Sequence, residues 1–127
     1  MSFSFDPDAK VVVVQVRIWG PRGRTIVRLA LDTGATQTLL NWDITMALGY
    51  DPLTSPSRVP IITGSGVEFA PTITLDKIEA LGIERLQFRV LCHTLPPSAG
   101  VDGLLGLDFL RGYRVVLDFR AGATTIN

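Results

Sequence analysis

The sequence predicts an all-β fold, on three observations. Apolar residues alternate with polar ones at period two, as in Val12, Val14, Val16 and Ile18 against Gln15 and Arg17. Turn-forming groups punctuate these runs at Gly20-Pro21-Arg22-Gly23, Gly64-Ser65-Gly66 and Arg120-Ala121-Gly122. Helix signals are confined to short stretches, chiefly Trp42 to Leu48 and Leu107 to Arg111.

Taken in order, Lys10 to Trp19 reads as a strand with one buried side, and Thr25 to Leu31 as its hairpin partner, ending at Asp32. Thr38 to Leu40 is a further short strand. Asn41 is placed to cap the first helix, with Asp43 in its first turn, where the helix dipole favours an anion, and Gly49 as its stop. Leu53 to Arg58 reads as loop. Val59 to Thr63 and Val67 to Ile73 form a second hairpin around the glycine-bearing tip Gly64-Ser65-Gly66. Between Asp76 and Leu81 strand and helical turn are both open, with a break at Leu81-Gly82. Beyond it Leu86, Phe88 and Val90 alternate with Gln87 and Arg89. Leu104 and Leu105 followed by Gly106 read as a buried strand whose backbone something crosses closely. Tyr113 to Phe119 is a strand, and Ala123 to Ile126 a last edge or pairing strand.

The 127 residues fit one domain, spanning 1–127, without disulfides or a metal to staple it. Twelve Lys and Arg balance twelve Asp and Glu with no basic block, which argues against a nucleic-acid partner. No apolar run approaches the length of a membrane span, and residues 1–10 do not resemble a signal peptide. Cys92, the only cysteine, reads as a buried small hydrophobe, so a cytoplasmic location is expected, or a soluble domain of a longer precursor. His93, the only histidine, lacks ligand-spaced partners and is expected to be an ordinary loop residue.

Asp32-Thr33-Gly34-Ala35 is the stretch that suggests chemistry. An acidic residue is delivered to the end of a strand whose last residues are apolar on both faces. By itself the tripeptide is weak: with each residue type at about 5 to 7 % usage, it occurs by chance in roughly a few per cent of chains this long. Its setting is more specific. Leu31-Asp32-Thr33-Gly34-Ala35, a glycine-tipped hairpin some thirty residues on, and Leu104-Leu105-Gly106 before Asp108-Phe109-Leu110 together resemble a retropepsin-like aspartic protease, over nearly the whole chain.

That resemblance implies a closed β-barrel or sandwich with a flap hairpin and one or two short helices, half of a pepsin-like fold. It implies an aspartic endopeptidase that needs no cofactor or metal and acts on peptide or protein substrates. Two carboxylates sharing a proton can deprotonate water and protonate a carbonyl oxygen, and like charges about 3 Å apart cannot both ionise. This chain offers one such aspartate, so the resemblance implies a homodimer. Asp32, Thr33 and Gly34 would be catalytic; Ala35, Ile62, Gly64, Ser65, Gly66, Leu104 and Leu105 would bind substrate, with Ile61, Ile62 and Val67 packing the flap; Gly106 would support the catalytic loop. Where viral relatives pair an acid with an arginine, this chain has Thr36 and Leu107, so no unpaired charge is left. Asp108 is expected to be a capping or surface residue, and Asp102 is a candidate substrate contact. The alternative function is a catalytically weak or inactive dimerisation or peptide-binding module.

Overall fold

In the computed structural model, which describes residues 1–127, a short strand β1 (Ser2–Ser4) precedes the long hairpin of β2 (Val13–Gly20) and β3 (Gly23–Leu31). The two strands pair from Val13↔Ala30 to Gly20↔Gly23, leaving only Pro21 and Arg22 in the turn. Gly23 has φ +122°, a conformation that side chains resist. Val14, Val16 and Ile18 of β2 and Val27 and Leu29 of β3 are buried, as their alternation requires.

The chain continues through β4 (Leu39–Leu40), α1 (Trp42–Ala47), β5 (Arg58–Thr63), β6 (Gly66–Ala80), β7 (Ile83–Cys92), β8 (Gly103–Leu105), α2 (Leu107–Leu110), β9 (Val115–Asp118) and β10 (Ala123–Ile126). Strands β2-β3-β8-β4-β7-β6 lie side by side, and β6 returns to β2 through Arg17↔Glu79, Ile18↔Ile78 and Trp19↔Lys77. The result is a closed six-strand barrel, which removes exposed sheet edges. β5 extends β6 outward as a hairpin. Inside the barrel lie Val16, Ile18, Leu29, Leu40, Leu75, Ile78, Leu105 and Phe109, all fully buried. Each such side chain contributes about 1.5–3 kcal/mol of transfer free energy.

Several expectations are corrected. Asp76 to Leu81, left open between strand and helical turn, is strand: β6 runs on to Ala80. Leu86, expected on a regular alternation with Phe88 and Val90, is 71 % exposed. The cause is local. Gln87 has φ +48°, and there the buried phase of β7 changes from Ile83 to Val90, while that of its partner β6 changes from Ile73 and Leu75 to Ile78 and Ala80. Tight turning at Leu81 (φ +54°) and Gly82 (φ +76°) closes this hairpin. Asn41 stands at the start of α1 but makes no side-chain cap; its Oδ1 accepts from the Leu95 N–H at 3.0 Å, and Thr94 Oγ1 accepts from the Trp42 N–H instead.

Of the two readings of the final strand, edge or pairing, the structure takes the second. β10 pairs with β9 on one side and with β1 on the other, from Ser2↔Thr125 to Ser4↔Ala123. β1 escapes sequence reading because Ser-Phe-Ser is too short to show a period. Burial pushes the Cys92 thiol up to about 11, partly opposed by a hydrogen bond with Thr45. No helix is long and apolar enough to cross a membrane.

Candidate active site

β3 runs parallel to β8, with Ala30 opposite Leu104 and Leu31 opposite Leu105. The ladder carries one residue further, since the Asp32 N–H donates to the Leu105 carbonyl at 3.0 Å. Asp32 therefore leaves the barrel wall on a fixed backbone. The chain then turns sharply: the Ala35 N–H reaches the Asp32 carbonyl at 3.2 Å, and the Gly34 N–H donates to Asp32 Oδ1 at 2.8 Å. A Cβ on Gly34 would stand 3.1 Å from that same oxygen, so glycine leaves the carboxylate room. Thr33 is exposed beside it.

Residues 35 to 38 are stitched to the segment after β8. The Leu107 N–H donates to the Ala35 carbonyl and the Asp108 N–H to the Thr36 carbonyl. Thr38, fully buried, donates from Oγ1 to Asp108 Oδ1 at 2.7 Å and from its N–H to the same carboxylate at 3.0 Å; its Oγ1 accepts from the Gly106 N–H at 3.1 Å. Asp108 is thus no surface residue: it holds the loop that follows Asp32. Charge-assisted bonds of this kind are the stronger ones. The close crossing expected at Gly106 is made by this loop, for a Cβ there would meet the Ala35 carbonyl oxygen at 2.7 Å.

Beside the Asp32 turn lies a groove of about 940 Å³. Its wall includes Asp32, Gly34 and Ala35 from the turn, Leu104 from β8, and Gly64 and Ser65 from the β5–β6 tip. Ile62 also borders it, although the residue is 90 % exposed. Two expected binding residues are placed elsewhere. Leu105 is fully buried in the barrel, because neighbours on a strand face opposite ways and Leu104 takes the groove side. Gly66 closes the hairpin at φ +123° and does not line the groove. Asp102, expected as a possible substrate contact, is turned into the scaffold: Oδ2 accepts from the Arg28 N–H at 2.9 Å. Of the expected flap packing, Ile61 lines the groove, whereas Val67 is 63 % exposed on the outer face.

The groove also gathers residues that the sequence did not single out. His93, expected as an ordinary loop residue, lines it, with Nδ1 3.9 Å from Glu68 Oε2. Counting alternate residues back from the hairpin tip could have put Glu68 on the inner face. Gln37 lies in the wall with its Oε1 buried and without a hydrogen-bond partner.

A family model described as "gag-polyprotein putative aspartyl protease" matches residues 14–112. The chain belongs to this family of aspartyl proteases. The protease is accordingly a peptide hydrolase, and its matched span takes in the Asp32 turn, the β5–β6 hairpin and the segment around Gly106. A crystal structure of a retropepsin-like aspartic protease from Rickettsia conorii superposes on the protease with a TM-score of 0.74 at 18 % identity, covering 100 % of this chain and 89 % of that one. The fold is therefore retropepsin-like. No curated protein matches the sequence significantly.

Proposed function

We propose that the protease is an endopeptidase whose active form is a homodimer, with Asp32 of each chain contributing one carboxylate to a shared pair. The observation that carries this reading is the placement of Asp32. It is half-buried at the end of a barrel strand, held through Oδ1 by the Gly34 N–H, and it borders a groove large enough for an extended peptide. Thr33, exposed at the apex of the turn, supports a contact across a twofold axis. The stitching of residues 35 to 38 supports a carboxylate that stays where the chemistry needs it.

In this mechanism an ionised Asp32 takes a proton from water, and the resulting hydroxide adds to the peptide carbonyl carbon. The protonated Asp32 of the partner subunit gives its proton to the carbonyl oxygen. Collapse of the tetrahedral diol breaks the C–N bond: one diol hydroxyl returns its proton to the partner's Asp32 as the product carbonyl forms, and the proton first taken from water passes to the leaving amine, which restores the pair. The β5–β6 hairpin, with Gly64 and Ser65 at its tip, would cover the substrate and exclude water. The peptide would lie as an added strand, with Leu104 and Ile61 offering apolar surface to its side chains. A single free, buried thiol fits a reducing, cytoplasmic compartment.

The test is digestion of a peptide library at roughly pH 4 to 8 with Asp32→Asn beside the wild type. Cleavage should fall at least about a thousandfold in the variant, with circular dichroism and sedimentation unchanged. Equal cleavage by both proteins would overturn the reading. Peptide binding without turnover in the wild-type dimer would favour a binding module.

A further inference from the structure

The β5–β6 hairpin distributes its polarity in an unexpected way. Residues directly opposite one another share a face, so Val59, Ile61 and Thr63 of β5 sit with Glu68 and Ala70 of β6. That face looks into the groove, which Val59, Ile61, Thr63 and Glu68 line, while Pro60 and Ile62 of the other face border it as well. The outer face carries Val67 and Phe69, 63 % and 64 % exposed. A ribbon patterned only for solubility would turn its carboxylate outward and its aromatic ring inward. Here the carboxylate is the inward residue.

The charges around Glu68 do not satisfy it. Asp32 and Glu68 are the acids of the groove, His93 is its other titratable side chain, and neither Lys nor Arg lines it. At 3.9 Å the His93–Glu68 contact is too long for a hydrogen bond, and it is an ion pair only while the imidazole is protonated. Glu68 thus has no permanent counter-ion, and its side chain remains 51 % exposed, open to a ligand. Two acids on the walls of one cleft draw a cation into it.

We propose that Glu68 is a specificity-determining residue that receives a basic side chain, arginine or lysine, of the bound peptide, with His93 competing for the same carboxylate when protonated. This rests on the groove being the substrate cleft. A peptide laid along the hairpin sends alternate side chains towards it, so the basic residue is selected at one register position. That position is displaced from the cut, because Glu68 lies two residues from the Gly66 end of β6. Arginine should be favoured over lysine, since its planar fork can take both carboxylate oxygens.

The experiment moves Arg, Gln or Glu through each flanking position of a peptide with a large apolar pair at the cut. At one position Arg should raise kcat/KM about three- to tenfold over Gln, and Glu should lower it. Glu68→Gln should bring that ratio close to one, and Glu68→Lys should reverse it. Charge independence at every position, or a ratio unchanged by Glu68→Gln, overturns the proposal while leaving the endopeptidase reading intact. If the wild type cleaves no peptide, that reading fails, and fluorescence anisotropy of the same labelled peptides on the wild type decides this one: a charge preference erased by Glu68→Gln upholds it, and equal binding overturns it.

Discussion

The β2–β3 hairpin turns through Pro21 and Arg22 onto Gly23 at φ +122°, and the β5–β6 hairpin turns through Gly64 and Ser65 onto Gly66 at φ +123°. A Cβ would meet nothing within 4 Å at Gly23 or at Gly66. Behind these matching tips the strands differ. Every second residue from Val14 to Ile18 is buried, and β2 is also paired on its far side by β6. On the other hairpin Ile62, Val67 and Phe69 are exposed, and β5 has no second neighbour. Closing glycines of the same geometry therefore lead into a buried wall in one place and an outlying, exposed hairpin in the other, and burial behind the turn makes the difference. Few buried contacts also mean a low local opening free energy, which the covering role proposed for this hairpin requires.

The contrast is broken most directly by truncation. Leu29→Ala should cost about 2–5 kcal/mol of unfolding free energy, read from denaturant titration. Ile62→Ala should stay within about 0.5 kcal/mol of the wild type while raising KM for peptides. Comparable destabilisation by both would mean that the β5–β6 hairpin is part of the core. A subtler comparison places one lesion in both hairpins. Gly23→Ala and Gly66→Ala each impose strain of about 1–3 kcal/mol. The first should lower global stability, whereas the second should lower only hydrogen-exchange protection in residues 59–69 and leave the melting temperature unchanged.

The smallest effect is read at Cys92, in the wall. Its thiol is raised from the ordinary 9.0 to about 11 by burial, so the neutral form is favoured in the folded state. The corresponding stability is fully present below about pH 9 and is lost as pH rises through about 11. Denaturant midpoints measured across that range should fall more in the wild type than in Cys92→Ala. Alkylation at neutral pH should be slow, faster in Leu29→Ala and unchanged in Ile62→Ala.

Most of the barrel was legible because alternation and glycine turns are local signals. The Asp32 turn was legible too, since its residues are contiguous. What escaped depends on partners distant in the chain. β1 is a strand only because β10 lies beside it. The exposure of Leu86 follows from the conformation of Gln87, which no period announces. Asp108 binds Thr38 across seventy residues, and Asp102 turns to Arg28 across seventy-four. Neither pairing has a short-range motif. Leu104 and Leu105 were both given to the groove, but consecutive strand residues face opposite ways, and Leu105 belongs to the core.

The dependence of the Asp32 turn on β8 and Asp108 has a consequence for biosynthesis. The acidic turn is translated some seventy residues before its partners, for the carbonyl that anchors it belongs to Leu105 and the carboxylate that braces its loop to Asp108. A nascent polypeptide still short of those residues has no means of setting the geometry. The acidic loop therefore takes its final shape only after synthesis has moved some seventy residues past it, late relative to its own translation.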